Sequence, residues 1–335
     1  MFNDIMNKNF KNIRTAVIGV GSMGQNHARI YSEISDLVAV IDPNESQGQE
    51  VARRCSTKWL KNHEELKNQV DAVSIAVPTK FHFDIAMDLA EAGVNILVEK
   101  PMASNVKEAE KIIEASSRSD SILSVGHIER HNPVVEFAKK HILNNSWGDV
   151  LSISAKRMSP HPGRISDVGV ILDLSVHDID VINFLYGLYP KTIYCTGSLY
   201  GKNGNEEQVI IVLNYGDGKI GICETSWHSP VKIRRLAVTS STIHAKINFM
   251  NQSINLSKSD RLSFTEGNLF KQKIEVDNQD IRLPHEEPLR NQLIDFLNSV
   301  VTSSSPLVSG SDGSSVLKIA NAALDSLKSN KVIKL

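Results

Sequence analysis

Asp173 and His177 stand four residues apart in a stretch, from about Leu172 to Tyr186, whose pattern predicts a helix. On a helix that separation puts both side chains on one face. An imidazole titrates near neutrality and can take the proton of an alcohol while its C–O bond becomes C=O. A carboxylate beside it can orient the alcohol or raise the imidazole pKa. The other candidate is Lys100, in the tripeptide Glu99-Lys100-Pro101 at the end of a predicted strand. Its amine can hydrogen-bond and polarise a substrate oxygen, and if partly desolvated it can relay a proton. Pro101 biases the backbone of Lys100 toward extended geometry. Taken singly, each feature has a plainer reading: a helix N-terminal acid with an ordinary histidine, and an exposed lysine. Taken together, they suit removal of hydride from a carbon that carries a hydroxyl.

A hydride needs an acceptor, and Gly19-Val20-Gly21-Ser22-Met23-Gly24 points to one. It fits GxGxxG, directly follows a predicted strand and opens a predicted helix, the context in which the pattern carries weight. The first glycine makes a tight turn, the second admits a pyrophosphate, and the third allows close helix packing. Helix N–H groups then face the phosphates. Asp42 ends the second predicted strand, where a carboxylate accepts from the ribose 2′-OH and repels a 2′-phosphate. The expected cofactor is therefore NAD rather than NADP. Pro78, Thr79 and His82 follow the third strand and Glu99 and Lys100 end the fourth, so all five are expected at the cofactor, with Thr79 also capping a helix.

These residues need a frame. Apolar runs at Thr15–Val20, Leu37–Ile41, Asp71–Val77, Val94–Val98 and Ser121–Val125 read as buried strands. Helical stretches at Gly24–Ser32, Asp84–Glu91 and Val106–Ser116 alternate with them, which implies a parallel sheet. Beyond a helix at Pro133–Leu143 the pattern becomes β-rich: Val150–Ala155, Thr192–Ser198, Gln208–Asn214, Ile220–Thr225, Arg235–Thr239 and His244–Asn248. Tyr215-Gly216-Asp217-Gly218 reads as a hairpin turn. Helices at Glu287–Val301 and Ser314–Lys328 close the chain. The predicted organisation is a polar N-terminal tail (1–12), a dinucleotide-binding Rossmann domain (13–128), and an α+β domain with a large open mixed or antiparallel sheet (129–335).

Composition excludes several classes. In 335 residues, 41% hydrophobic and 22% charged, the net charge is -1, so no field favours nucleic acid or an anionic membrane. Met1–Asn12 lacks the apolar stretch of a signal peptide, no run is long enough to span a bilayer, and three scattered cysteines fit a reducing compartment. A cytoplasmic enzyme is expected. His127, Glu129 and His131 alternate but match no zinc spacing, and no metal is expected.

GVGSMG, Asp42, Glu99-Lys100-Pro101 and Asp173-Leu174-Ser175-Val176-His177-Asp178, in this order and spacing, resemble the Gfo/Idh/MocA oxidoreductases across nearly the whole chain. The resemblance implies a Rossmann domain followed by an open-sheet domain that mediates dimers or tetramers. It also implies that Lys100 and His177 act at the reacting hydroxyl with Asp173 in support. A narrower resemblance rests on Val125–Pro133 and Arg164–Ile171, which look like the branch acting at C3 of UDP-N-acetylglucosamine. Such a nucleotide sugar needs cations for its pyrophosphate, and Arg157, His161 and Arg164 are expected in one Pro/Gly-punctuated loop before the Asp173 helix. His131 departs from the aromatic residue more usual in that branch. An aminotransferase is an expected pathway partner. The alternatives are a dehydrogenase of inositol or a free aldose, which needs no phosphate clamp, and a non-catalytic NAD-binding regulator.

Overall fold

A computed structural model describes residues 10–66, 68–163, 168–198, 204–259 and 276–335. The apolar runs of the first third become β1 (Phe10–Ile18), β2 (Ser35–Ile41), β3 (Lys58–Leu60), β4 (Ala72–Ile75), β5 (Asn95–Val98) and β6 (Leu123–Val125). All neighbouring pairs are parallel, in the order β3-β2-β1-β4-β5-β6. That is the dinucleotide-binding order, whose switch point lies between β1 and β4. The connecting helices are α1 (Gly24–Ile34), α2 (Glu45–Arg54), α3 (His82–Glu91) and α4 (Val106–Arg118). Neither α2 nor β3 is legible in the sequence. Only Gly48, Val51 and Ala52 of α2 are buried, and a three-residue strand shows no period.

The chain then enters a second compact unit through α5 (Pro133–Leu143). After β7 (Val150–Pro160), a π-helical turn (Ile171–Ser175) leads into α6 (Val176–Tyr186). The remaining strands are β8 (Thr192–Ser198), β9 (Gln208–Gly216), β10 (Lys219–Ser226), β11 (His228–Ser240), β12 (Ile243–Asn248), β13 (Ser253–Ser259) and β14 (Val276–Arg282). Helices α7 (Pro288–Thr302) and α8 (Gly310–Ser329) follow, and β15 (Ile333–Lys334) ends the chain. The sheet order is β14-β13-β12-β11-β7-β10-β9-β8-β15; β7 and β10 are parallel and every other pair antiparallel. The turn between β9 and β10 has positive φ at Gly216, Asp217 and Gly218, as its sequence predicts.

Two boundaries differ from the sequence reading. Phe10, inside the expected polar tail, starts β1 and is buried. The first unit also takes in Glu287–Lys318, which the sequence pattern assigns to the second domain. Leu289, Leu293, Phe296 and Leu297 form the apolar stripe of α7 and share a core with Ile30, Tyr31 and Ile34 of α1. Arg130 cements this return: it bonds Asp312 at 3.0 Å and the carbonyl of Leu307 at 3.0 Å. Burial pushes the Asp312 carboxyl up, but the Arg130 charge and the Ser309 donors outweigh it and hold the group below its ordinary range.

Candidate active site

In the first unit, the ends of β1, β2, β4, β5 and β6 share the carboxyl edge of a parallel sheet, where such folds take ligands. Gly19 has φ +83°, and a Cβ there would lie 2.7 Å from Val77 Cγ1. A Cβ on Gly24 would lie 1.8 Å from the Gly19 carbonyl oxygen. The protein's own packing thus requires the first and third glycines. At Gly21 a Cβ meets nothing within 4 Å, and Gly21, Ser22 and Met23 are exposed. Asn44, Asn105 and Asn132 cap α2, α4 and α5 with their side chains, whereas α1 begins at Met23 with no side-chain cap and no acid in its first turn. Its leading N–H groups are offered to an anion.

Asp42 closes this cradle. Its Oδ2 accepts from Val20 N–H at 2.9 Å and its Oδ1 from Asn44 N–H at 2.9 Å. A carboxylate has about four lone-pair directions, so both oxygens keep capacity for ribose hydroxyls. The Gln47 amide donates to Val20 O at 2.9 Å and braces the same loop. An uncapped helix, an open second glycine and a carboxylate beside the loop fit a dinucleotide without a 2′-phosphate.

The ends of β4 and β5 are organised differently from expectation. Thr79 opens a short 3₁₀ turn (Thr79–Phe81); the cap positions are Pro78 and Phe81, and neither makes a side-chain cap bond, so Thr79 is not the N-cap. His82 is buried rather than facing a ligand. Its Nδ1 lies 2.9 Å from Pro101 O and its Nε2 2.9 Å from Val77 O, so the ring spans the ends of β4 and β5, and as a neutral imidazole it donates to one of the two carbonyls. Burial pushes its pKa down, against the pull of both carbonyls and of Glu99. Lys100 is half-buried, and the Lys100–Pro101 peptide bond is cis. Glu99, expected at the cofactor, turns inward: Oε1 lies 3.1 Å from His27 Nε2, and Oε2 accepts from Lys100 N–H at 3.2 Å.

In the second unit, Asp173 lies in the π-helical turn and His177 in the first turn of α6, both half-buried. Single π turns inside helices are frequent at functional sites. Two buried groups hold this segment. Glu206 Oε1 accepts from Ile171 N–H at 3.0 Å, and a Cβ on Gly169 would sit 2.2 Å from the Glu206 carboxyl carbon. Burial raises the Glu206 carboxyl despite its N–H donors. Asp178, next to His177, accepts from Arg157 Nε at 2.9 Å, and the guanidinium carbon lies 5.6 Å from the Phe249 ring centre.

That bond corrects the expected basic loop. Arg157 belongs to β7 and its side chain is 3% exposed, so it anchors α6 to the sheet instead of reaching for a pyrophosphate. Its inward alternation with Ile153 and Ala155 is the signal that extending the predicted strand would have caught. His161 follows β7 and is exposed, with its ring 5.0 Å from that of Trp227 and Nε2 3.7 Å from Glu207. Arg164 lies outside the described residues. Sequence reasoning passes over His27, Ser74, Tyr31 and Glu206, and gives no individual role to Gly126 and Asp178, which it meets only inside motifs. His27 and Tyr31 did leave a trace, as polar residues on the buried stripe of an amphipathic helix. Among the described residues no cluster of three or more His, Cys, Asp or Glu is placed to hold a metal ion, and no helix is long and apolar enough to cross a membrane.

Comparison with known proteins bears on both units. Residues 13–127 match the NAD-binding Rossmann fold of the Gfo/Idh/MocA oxidoreductase family, and residues 135–243 match that family's C-terminal domain. The UDP-N-acetylglucosamine 3-dehydrogenase of Acidithiobacillus ferrooxidans is 28% identical over 92% of this chain and 95% of its own. Its crystal structure superposes with a TM-score of 0.85 at 27% identity, covering 95% of this chain and 98% of that one. The myo-inositol 2-dehydrogenase of Thermotoga maritima is 26% identical over 96% of this chain and 98% of its own. Two family domains matched in order, on the cradle and helix described above, make this chain a member of the Gfo/Idh/MocA family and an NAD-dependent oxidoreductase acting on CH–OH groups.

Proposed function

We propose that this protein oxidises the C3 hydroxyl of UDP-N-acetylglucosamine, giving the 3-keto sugar, NADH and a proton. The observation that carries the reading is full-length similarity to a relative of that name, in sequence and in fold. NAD, when bound, accepts the hydride from C3. Lys100 donates a hydrogen bond to the C3 oxygen and polarises it, His177 takes the hydroxyl proton, and Asp173 orients the imidazole or the sugar. The pyrophosphate falls to Arg164 and His161, since Arg157 is committed to Asp178.

The buried state of Arg157 also supports a second reading, a free polyol such as myo-inositol, which needs no phosphate clamp and which names a relative of matching length. Supplying UDP-N-acetylglucosamine with excess NAD and a ketone trap decides between them. The expected result is NADH absorbance and the trap adduct of a ketone two mass units lighter than the substrate, by loss of two hydrogens. An inert UDP-sugar beside rapid NAD reduction by myo-inositol overturns the first reading and leaves the second. Oxidation of an alcohol by NAD is uphill at neutral pH, so a reaction that consumes the ketone, such as an aminotransferase, completes the proposed pathway. A cytoplasmic homodimer or homotetramer belongs to the same reading; exposed Ile210, Val212 and Ile220 on β9 and β10 offer an apolar contact face.

A further inference from the structure

Behind the end of β5 lies a buried polar chain that the reaction as written does not use. Tyr31 Oη is 2.9 Å from Ser74 Oγ, Ser74 Oγ is 3.0 Å from His27 Nδ1, and His27 Nε2 is 3.1 Å from Glu99 Oε1. The other carboxylate oxygen, Oε2, accepts the backbone N–H of Lys100. All four residues are at most 8% exposed. A buried polar network of this kind is costly unless every member is satisfied. One assignment satisfies it: Tyr31 donates to Ser74, Ser74 donates to Nδ1, and Nε2–H donates to the carboxylate. Every donor then points the same way, and the chain ends on a charge that also receives the Lys100 N–H.

The surroundings are built for that charge. A Cβ on Gly126, just past β6, would lie 2.9 Å from the Glu99 carboxyl carbon, so only glycine leaves room. Burial pushes the Glu99 carboxyl up, yet His27, the Lys100 charge and the Lys100 N–H outweigh it and keep the group below its ordinary range. From the far side the buried His82 ring sets its Nδ1 2.9 Å from the carbonyl oxygen of Pro101. The backbone around Lys100 is therefore gripped by a carboxylate at its amide nitrogen and by an imidazole one residue on.

We infer that His27 and Glu99 are positioning residues for Lys100: a buried imidazole–carboxylate couple, anchored through Ser74 and Tyr31, that fixes the backbone from which the lysine acts. The inference rests on the reading of Lys100 as the group at the reacting oxygen. It assigns the glutamate of Glu99-Lys100-Pro101 to alignment of its neighbour instead of cofactor contact, and gives His27 of the glycine-loop helix a catalytic consequence without substrate contact.

The test is a double-mutant cycle on the full chain, with whichever of UDP-N-acetylglucosamine or myo-inositol turns over. Glu99→Gln keeps the shape and one acceptor but removes the charge. It should lower kcat by about ten- to a hundredfold, the scale of a small misplacement of a catalytic group, while the NAD Kd changes by less than about twofold. With substrate deuterated at the reacting carbon, the isotope effect on kcat should grow, because hydride transfer becomes slower than the other steps; loss of folded enzyme alone leaves that ratio unchanged. In a Lys100→Met background, adding Glu99→Gln should cost less than about twofold more. Equal losses in both backgrounds, or an unchanged isotope effect, overturn the inference. Should Glu99→Gln not fold, His27→Gln, which retains an N–H toward Glu99, enters the same cycle, with a smaller loss expected. Lys100→Met with near-full kcat refutes the role of Lys100 itself. The couple is judged separately by ¹⁵N resonances of His27 in the resting protein, expected with Nε2 protonated and Nδ1 bare; the reverse tautomer refutes it.

Discussion

Gly21 and Gly24 occupy one hexapeptide and answer to different constraints. Gly24 is fixed by its own fold, since a methyl group there collides with the Gly19 carbonyl. Gly21 faces open space, and its smallness serves something that approaches from outside. Gly24→Ala should therefore cost about 1–3 kcal/mol of stability, the usual penalty of overpacking, seen as a lower urea midpoint. Gly21→Ala should leave that midpoint in place and raise the NAD Kd at least about tenfold, or about 1.4 kcal/mol. Titration of NADH fluorescence together with urea unfolding separates the two; a destabilised Gly21→Ala with unchanged Kd contradicts this division. Asp42 follows the same logic of charge. Asp42→Asn keeps an acceptor for the loop but loses the repulsion of a 2′-phosphate, so the NAD/NADP ratio of kcat/KM should fall by at least about tenfold. At the chemical step, Lys100→Met and His177→Asn should each lower kcat by about 10²- to 10⁴-fold and spare NAD binding.

At the scale of elements, the segment bearing Asp173 and His177 is clamped at two points. Glu206 holds the start of the π turn, and Arg157 holds the first turn of α6 through Asp178. Removing one member of a buried ion pair strands the other, so Arg157→Met should destabilise by about 3–5 kcal/mol. Arg157→Met combined with Asp178→Leu should regain much of that loss, because two apolar residues leave no buried charge. Urea unfolding of the single and double variants measures it, and additive losses would show that the pair does not carry the effect. The helix itself was legible from its apolar pattern, and Asp173 and His177 from their spacing. Its π turn was not, because nothing local to Ile171–Ser175 announces a carboxylate arriving from Glu206.

At the scale of the whole molecule, one contributor to acid sensitivity sits where the chain leaves the first unit. His131 is buried, its Nε2 has no hydrogen-bond partner, and burial together with the Arg130 charge pushes its pKa down to about 3. An unfolded histidine titrates near 6.5, so between the two values the unfolded chain binds a proton that the folded chain refuses. Stability from this group is complete above the unfolded value and falls as pH drops toward 3, by up to about 1.4 kcal/mol per pH unit. His131→Phe should flatten that slope: urea midpoints at pH 7 and pH 5 should differ less in the variant than in the parent. An unchanged difference would assign the acid sensitivity to other groups.

Sequence by itself determined what depends on short-range order. The parallel-strand runs, the glycine loop with Asp42, the hairpin at Gly216–Gly218 and the Asp173/His177 spacing are all local patterns, because turn geometry and side-chain periodicity are set by neighbours along the chain. The tertiary structure decided what depends on distant partners. It returned α7 to the first unit, since an apolar stripe does not say which surface it covers. It took Arg157 out of the expected loop because Asp178, 21 residues on, satisfies it in the core. It turned Glu99 inward onto His27, 72 residues earlier. Which charges are buried, and against what, is settled only when strands far apart in sequence come together, since a charge leaves water only where a partner is already in place.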